Sequence, residues 1–273
     1  MGATGPNRER WREALAQLRA EPRAAAVLSD LDGTLAPIVA RPELVEVPAR
    51  ACRALERIAA RFALCAIVTG RRPEEAREIV GLAALAYAGN HGFELLDPGA
   101  ERSMPSPELA GREDAAAGFL ADAADRERLT AAGVRVEDKG LIVALHWRGA
   151  ADEAEAERVA GAVGEEARGS GLRTHEGRKV LELRPPAAID KGVAITGLLR
   201  RAGVRRALYA GDDRTDLDGF RALAEMRDRG ELEAIVRVGV SSPEGPPELA
   251  EEVDLLVSGT TELAELLELL AGA

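Results

Sequence analysis

Residues 24–34 read AAAVLSDLDGT, an apolar run that ends at two aspartates and a glycine. Such a run predicts a buried parallel strand that delivers carboxylates at its C-terminal end. Of the two, Asp30 can attack phosphorus as a nucleophile, and Asp32 can protonate a leaving alkoxide and later activate water. A turn whose aspartates cap a helix is the structural alternative, and this segment by itself leaves both interpretations open.

The same pattern, an apolar run followed by polar residues, recurs along the chain. The runs Phe62–Val68, Leu85–Ala88 and Ala207–Ala210 have helical stretches between them. They end at Thr69-Gly70-Arg71, Gly89-Asn90-His91-Gly92 and Gly211-Asp212-Asp213-Arg214-Thr215-Asp216. The alternation of strands and helices predicts an open parallel sheet with right-handed crossovers. Ligands bind at the carboxyl edge of such a sheet, so we expect these polar residues to form one site there.

The residues at that edge suit phosphate chemistry. The hydroxyl of Thr69 and a free backbone N–H beside it can bind a phosphoryl oxygen. A further residue, Lys191, follows Asp190 at the start of a predicted helix and can neutralise both a phosphate and clustered carboxylates. A helix-capping threonine and a solvated lysine are the structural alternatives.

Three carboxylates lie within five residues, at Asp212, Asp213 and Asp216. They would repel one another without a cation, and hard oxygen ligands of this kind suit Mg²⁺. The helix dipole favours aspartate at a helix N-terminus and would explain one or two of them. It does not explain the recurrence of the arrangement at Asp30 and Asp32, so we expect a magnesium site.

The pattern changes in the middle of the chain. Residues 97–111 are rich in Pro, Gly and Ser, as a linker would be. A helical stretch, Asp114–Ala131, precedes short strand-like runs that come two at a time beside a helix. This pattern predicts a small α+β domain with an antiparallel sheet. We therefore expect a core formed by residues 1–106 and 187–273, interrupted by a second domain at residues 107–186.

The composition limits the kinds of partner that the protein can bind. The net charge of −11 argues against nucleic acid and against anionic membranes, since both need a basic face. The chain has no apolar stretch of bilayer-spanning length, and residues 1–23 contain no apolar signal segment. Two cysteines do not make a disulfide framework. We expect a cytoplasmic protein with a small-molecule substrate and favour a monomer.

Four of these polar segments, taken in order, resemble the motifs of the haloacid-dehalogenase superfamily of phosphohydrolases: Asp-x-Asp-Gly-Thr, Thr-Gly-Arg, Lys and Gly-Asp-Asp-x-x-Asp. The resemblance implies an α/β fold, a Rossmann-like parallel-sheet core with an inserted small α+β cap domain. It implies that Asp30, Asp32, Thr69 and Lys191 are catalytic. It also implies Mg²⁺ at Asp30, Asp212 and the backbone carbonyl of Asp32, with Asp213 or Asp216 acting through water or behind the ligands.

Further stretches resemble one family within that superfamily, the trehalose-6-phosphate phosphatases. Residues 32–38 are similar to the family's DGTL(S/A)PI, and residues 89–92 to its G-N-H-G. The insert resembles its cap motifs, V-E-x-K…H-x-R at residues 136–148 and G-(K/R)-x-V-x-E-x-R-P at residues 177–185. The resemblance implies substrate-binding roles for Gly70, Arg71, Asn90, His91, Glu137, Lys139, His146, Arg148, Arg178 and Glu182.

The function that this resemblance implies is hydrolysis of trehalose 6-phosphate to trehalose and phosphate. In the insert, Glu137 and Glu182 can bind sugar hydroxyls by charge-assisted hydrogen bonds, although strand alternation alone would also produce exposed charges there. Phosphatases of sucrose phosphate or mannosyl-3-phosphoglycerate, and a sugar phosphomutase, are alternatives with related chemistry. A non-catalytic sugar-phosphate sensor is another alternative, but it would have no need for a nucleophile such as Asp30.

Overall fold

The computed structural model places two β-sheets in separate parts of the chain. It describes residues 6–39, 41–120, 123–177, 179–242 and 245–272. The chain divides into two compact units, Met1–Met104 with Ile189–Ala273, and Pro105–Ala188. The predicted insert, residues 107–186, begins two residues after the start of the second unit and ends two residues before its end. Its role as a cap domain stays a proposal.

Strands and helices alternate through most of the chain. The strands are β1 (Ala25–Ser29), β2 (Leu64–Val68), β3 (Ala86–Gly89), β4 (Glu94–Leu96), β5 (Met104–Pro105), β6 (Arg135–Asp138), β7 (Val143–His146), β8 (Arg173–Gly177), β9 (Val180–Arg184), β10 (Arg206–Gly211), β11 (Ala234–Ser241) and β12 (Leu255–Ser258). The helices are α1 (Pro6–Ala20), α2 (Ala49–Arg61), α3 (Pro73–Val80), α4 (Ala115–Phe119), α5 (Ala123–Ala131), α6 (Glu153–Gly169), α7 (Lys191–Ala202), α8 (Asp216–Asp228), α9 (Leu249–Glu252) and α10 (Gly259–Ala271). Short 3₁₀ turns complete the described structure.

The larger sheet reverses its winding direction next to β1. Its strand order is β12-β11-β10-β1-β2-β3-β4-β5, and β1 pairs in parallel with both β2 and β10. The chain fills one side through β2 and β3 and the other through β10, β11 and β12. Ser29 lies opposite Ala210 in the pairing, so the ends of β1 and β10 meet at this reversal. Ligands of open α/β sheets bind at such a point.

Two apolar layers cover the faces of this sheet. In β1, Val27 faces a cluster that includes Leu15 and Leu18 of α1 together with residues of α2 and α10. Its neighbour Leu28 faces a second cluster with residues of α7 and α8. Side chains alternate along a strand, so β1 is buried on both faces, which explains its unbroken apolar sequence. The predicted parallel α/β core is confirmed.

Two features differ from the sequence-based expectation. Strand β4 pairs antiparallel with β3 and was not predicted, because its three residues follow a turn and form too short a pattern. The helical stretch expected at Asp114–Ala131 consists of two helices, α4 and α5, with residues 121 and 122 outside the described part. Gly118 lies in the first of them, and glycine costs about 1 kcal/mol relative to alanine in a helix interior.

The smaller unit has the predicted antiparallel sheet, in the order β6-β7-β9-β8. One face packs on helices, with Leu145 and Leu183 in a cluster that includes Val159 and Val163 of α6. The pairing register places Glu137, Ala144, Glu182 and His175 in one row across the four strands. Side chains in one such row share a face, so this sheet presents a polar row on the side opposite α6.

Two further features are the state of the cysteines and the length of the helices. Both Cys52 and Cys65 are free thiols, and Cys65 is buried. Among the described residues, no helix combines the length and the apolar character that crossing a bilayer requires.

Candidate active site

The predicted polar segments meet at the carboxyl edge of the larger sheet. Asp30 follows β1, Thr69 follows β2, Asn90 follows β3 and Asp212 follows β10. The backbone N–H of Asp30 donates to the carbonyl of Ala210 at 2.8 Å, which carries the sheet pairing one residue past β1. The backbone N–H of Thr69 donates to Ala88 at 2.9 Å in the same way. The sheet therefore fixes the backbone from which these side chains extend.

Lys191 lies at the centre of the carboxylates. Its Nζ donates to Oδ1 of Asp30 at 2.8 Å and to Oδ1 of Asp216 at 2.7 Å, and the side chain is 2% exposed. The lysine begins α7, whose N-cap Asp190 accepts a hydrogen bond from the N–H of Val193. Burial lowers the pKa of Lys191. The negative charges of Asp216 and Asp30 outweigh that effect and hold the pKa well above its ordinary value. Lys191 is therefore a fixed cation beside Asp30.

Asp216 uses both carboxylate oxygens within the protein. Oδ1 accepts from Lys191 and from the hydroxyl of Tyr209. Oδ2 accepts from the backbone N–H groups of Asp212 at 2.9 Å and Asp213 at 3.0 Å. The carboxylate thus ties the loop after β10 to Lys191.

A cluster of three buried carboxylates fits a divalent cation. Asp30, Asp212 and Asp216 each place one oxygen within 4.8 Å of the others. Burial raises the pKa of Asp30 well above its ordinary value despite the opposing charge of Lys191. Burial, together with the charges of neighbouring carboxylates, also raises the pKa of Asp212 to about 7, although a hydrogen bond from Thr34 opposes this. A bound cation would favour the ionised carboxylates against both their burial and their mutual repulsion, and hard oxygen donors suit such an ion.

The hydrogen bonds that these carboxylates already accept indicate which of them would hold the ion. Since Asp216 accepts four hydrogen bonds, Asp30 and Asp212 are better placed as direct ligands. The predicted ligand Asp213 is 52% exposed, and its Oδ1 caps α8 by accepting from the N–H groups of Thr215 and Asp216. Direct contact between Asp213 and a metal remains a prediction.

Gly33 allows Asp212 to approach the first motif. Its φ is +85°, a left-handed conformation that favours glycine. A Cβ at this position would lie 2.2 Å from Oδ2 of Asp212. From the neighbouring position, Thr34 Oγ1 donates to Oδ1 of Asp212 at 2.7 Å. A larger residue at position 33 would push the two acidic segments apart.

Asp32 has a different environment from Asp30. Its side chain is 36% exposed, against 6% for Asp30. The guanidinium of Arg71 donates to both of its oxygens, at 2.7 and 2.9 Å, and also to Glu75. The two carboxylates of the first motif therefore lie in different environments, as carboxylates with different catalytic roles do.

The predicted residues Gly70, Asn90 and His91 lie together with Thr69. The N–H of His91 donates to the carbonyl of Thr69 at 2.9 Å, and that of Asn90 to Arg71 at 2.7 Å. The His91 ring lies 2.8 Å from where a Cβ on Gly70 would be. Both Asn90 and His91 have left-handed φ, 50° and 58°. The turn after β3 therefore supports the Thr69 loop.

The insert residues form two hydrogen-bonded groups on the smaller sheet. His146 and Glu137 are 2.8 Å apart, and this hydrogen bond lowers the pKa of Glu137 to about 2, although partial burial opposes it. Lys139 donates to Glu182 at 3.1 Å, and Arg184 donates to the other oxygen of Glu182 at 2.6 and 3.0 Å. Arg148 is exposed just after β7. Arg178 lies outside the described residues, so its predicted role stays a prediction.

Three residues of the core site were not singled out from the sequence. They are Thr34, Tyr209 and Glu94; the last accepts hydrogen bonds from Asn90 and from Ser103. Thr34 belongs to the first motif, which was a usable signal. The only signal for Tyr209 was its polar hydroxyl within the apolar run Ala207–Ala210, and Glu94 lies on the unpredicted β4.

The reversal of the sheet between β1 and β10, with Asp30, Lys191 and the carboxylate cluster at that edge, gives the larger unit a haloacid-dehalogenase-like fold. A solved haloacid dehalogenase-like hydrolase from Bacteroides thetaiotaomicron has the same fold, with a TM-score of 0.63 at 15% identity, covering 89% of this chain and 98% of that one.

The chain belongs to the trehalose-phosphatase family, whose model matches residues 28–246. It is 41% identical over 211 residues to a trehalose-phosphate phosphatase of Mycobacterium avium, covering 74% of this chain and 52% of that protein. A solved trehalose-6-phosphate phosphatase related protein is 26% identical with a TM-score of 0.70, covering 90% of this chain and 97% of the other. The chain spans about half the length, or less, of the first curated relatives that it matches.

Proposed function

We propose that this protein hydrolyses trehalose 6-phosphate to trehalose and phosphate through a phospho-aspartate on Asp30. The observation that carries the proposal is the contact of 2.8 Å between the buried Asp30 and Lys191, beside Asp212, in a chain of the trehalose-phosphatase family. A sensor would gain nothing from a nucleophile held in this way.

In the first step, a carboxylate oxygen of Asp30 attacks phosphorus, and the bond between phosphorus and the sugar oxygen breaks. Asp32 donates its proton to that leaving oxygen, so trehalose departs as a neutral alcohol. Lys191 orients Asp30 and offsets negative charge on the phosphoryl group. The hydroxyl of Thr69 and the N–H of Gly70 lie at the same edge, where they can donate to phosphoryl oxygens.

In the second step, Asp32, now ionised, takes a proton from a water molecule. The oxygen of that water attacks phosphorus, the bond to Asp30 breaks, and phosphate leaves. Both residues return to their starting protonation states, so the cycle balances. The exposure of Asp32, 36% against 6% for Asp30, supports its exchange of protons with solvent and substrate.

We assign Mg²⁺ to the carboxylate cluster. Asp30, Asp212 and the backbone carbonyl of Asp32 would hold it, with Asp216 and Asp213 behind them. When bound, Mg²⁺ supplies positive charge that offsets the repulsion between Asp30 and the phosphate dianion.

Recognition of the sugar belongs, in this proposal, to the smaller unit. Among the described core residues, those assigned above account for phosphate cleavage, and none of the assigned roles selects a disaccharide. The polar row on the smaller sheet contains Glu137 and Glu182, and charged groups of this kind bind sugar hydroxyls. The remaining insert assignments, Lys139, His146, Arg148 and Arg178, rest on the family resemblance. Cytoplasmic location and a monomeric state also remain predictions.

Phosphate release from a panel of substrates tests the proposal. The panel contains trehalose 6-phosphate, sucrose 6-phosphate, mannosyl-3-phosphoglycerate and glucose 6-phosphate, each with Mg²⁺ and with excess EDTA. We expect trehalose 6-phosphate to have the highest kcat/KM and EDTA to stop release. Preference for another sugar phosphate would overturn the assigned substrate. Isomerised sugar phosphate without free phosphate would indicate a mutase instead.

A further inference from the structure

The hydroxyl of Tyr209 forms a hydrogen bond to the candidate site from within the core. Tyr209 lies on β10 and is fully buried. Its hydroxyl donates to Oδ1 of Asp216, the same oxygen that accepts from Lys191 at 2.7 Å. It thus reaches the candidate nucleophile through two intermediates, Asp216 and Lys191.

The oxygen that Tyr209 and Lys191 share affects how strongly Lys191 binds each of its two carboxylates, Asp30 and Asp216. Lys191 contacts Asp30 and Asp216 at nearly equal distances, 2.8 and 2.7 Å. Oδ2 of Asp216 is fixed by two backbone N–H groups, so only Oδ1 can respond to its donors. An acceptor with a second donor attracts the first one less strongly, because the two donors share its charge. Without the hydroxyl, Asp216 would draw Lys191 away from Asp30.

We propose that Tyr209 is a positioning residue for phosphoryl transfer, whose hydroxyl acts through Asp216 to hold Lys191 against Asp30. This inference rests on the proposed role of Asp30 as nucleophile, but not on the identity of the sugar. It concerns the phosphate-cleaving core alone.

The Tyr209→Phe variant isolates the hydroxyl. The ring packs against Phe220, with centroids 5.4 Å apart, and Gly219 makes room for it. A Cβ on Gly219 would lie 2.5 Å from a ring carbon of Tyr209. Phenylalanine preserves these ring contacts, so the variant should fold and lose only the hydrogen bond to Asp216.

The chain offers a matched control in Tyr87→Phe. Tyr87 is the only other tyrosine, and it is also buried in a strand. Its hydroxyl donates to the carbonyl of Leu82 at 2.6 Å, away from the carboxylate cluster. Both variants therefore remove one hydroxyl hydrogen bond from the core, but only one of these bonds reaches Lys191.

The test measures kcat and KM of wild type and both variants with p-nitrophenyl phosphate and Mg²⁺, together with the rise in Tm that Mg²⁺ causes. For Tyr209→Phe we expect kcat to fall about tenfold, equivalent to ~1.4 kcal/mol, while KM and the Mg²⁺-dependent rise in Tm change little. Tyr87→Phe should keep the wild-type kcat. Equal kcat values in the two variants would overturn the inference, as would a loss confined to Tm.

A spectroscopic measurement tests the coupling without turnover. In the Tyr87→Phe background, 3-fluorotyrosine labels Tyr209 alone, so its ¹⁹F resonance reports on this hydroxyl group. Introducing Asp30→Asn should shift the resonance, because the change reaches Tyr209 through Lys191 and Asp216. An unshifted resonance would contradict the inference. Failure of the wild type on trehalose 6-phosphate would refute the proposed substrate and leave both measurements valid.

Discussion

Arg71 binds Asp32 through two parallel hydrogen bonds, from Nε to Oδ2 at 2.7 Å and from Nη2 to Oδ1 at 2.9 Å. Asp30, two residues earlier, is held by Lys191 instead. Each carboxylate of the first motif therefore has its own cation, and the two cations come from different segments of the chain. This separation suits two carboxylates that perform different steps.

The first prediction distinguishes the catalytic role of Asp32 from that of Asp30. Asp32→Asn should reduce kcat for trehalose 6-phosphate at least about a hundredfold, since general acid catalysis contributes on the order of 10²–10⁴. Cleavage of p-nitrophenyl phosphate should suffer much less in its first step, because nitrophenolate leaves without a proton. Burst kinetics with the aryl substrate measure that step. Equal losses in the bond-breaking step for both substrates would count against Asp32 as the acid.

The second prediction concerns metal and pH. The pKa of Asp212 in the metal-free protein is about 7, raised from an ordinary value of 3.8. The folded state therefore keeps a proton that the unfolded state loses, and the free energy of unfolding should fall as pH rises from about 4 to about 7. Below about pH 7 a cation must displace that proton, so a fixed Mg²⁺ concentration should raise Tm more at about pH 8 than at about pH 5.5. A pH-independent rise would contradict the site.

The third prediction assigns sugar recognition to the smaller unit. Glu182 is held by Lys139 and Arg184, so Glu182→Gln removes charge while keeping the shape of the side chain. We expect kcat/KM for trehalose 6-phosphate to fall more than about tenfold, since a charge-assisted hydrogen bond is worth roughly 1.5–3 kcal/mol. Cleavage of p-nitrophenyl phosphate should be unchanged.

The control for this prediction is Glu155→Gln. Glu155 forms an exposed ion pair with Arg158 on α6 of the same unit. This variant should retain activity on both substrates, because solvent and salt screen exposed pairs of this kind and leave them little effect on stability. If Glu182→Gln lowered both activities in parallel with its Tm, Glu182 would be a structural residue.

The sequence was sufficient to predict the core, since its strands are apolar on both faces. The apolar run before Asp30 predicted β1 to within one residue. Short elements were harder, because β4 has only three residues, too few to show a pattern. Its pairing with β3 comes from tertiary contacts that no local pattern encodes.

The site was predictable to the extent that its residues lie directly after strands. Asp30, Thr69, Asn90 and Asp212 could be placed at one edge from the alternation alone. The partners within that site depend on long-range geometry: Arg71 on Asp32 and Tyr209 on Asp216 follow from how loops and strands meet in space. The left-handed backbone at Asn90 and His91 likewise has no sequence signal comparable to a glycine.

The fourth prediction removes the nucleophile. Asp30→Asn should abolish measurable turnover with both trehalose 6-phosphate and p-nitrophenyl phosphate, because an amide is a poor nucleophile towards phosphorus. The fold should persist, since the substitution relieves a buried carboxyl whose pKa is raised by burial. Near wild-type activity in a folded Asp30→Asn variant would exclude the phospho-aspartate route.

The most direct test of the account is to trap the phosphoryl group on the enzyme. The wild type is mixed with trehalose 6-phosphate and Mg²⁺, quenched in acid within one turnover, and digested for mass spectrometry. We expect a phosphoryl group on the peptide that contains Asp30. Borohydride then reduces the acyl phosphate to homoserine with loss of phosphate, which locates the modification at position 30, and Asp30→Asn should show neither product. Continued phosphate release from a wild type that carries its label at another residue would contradict the account.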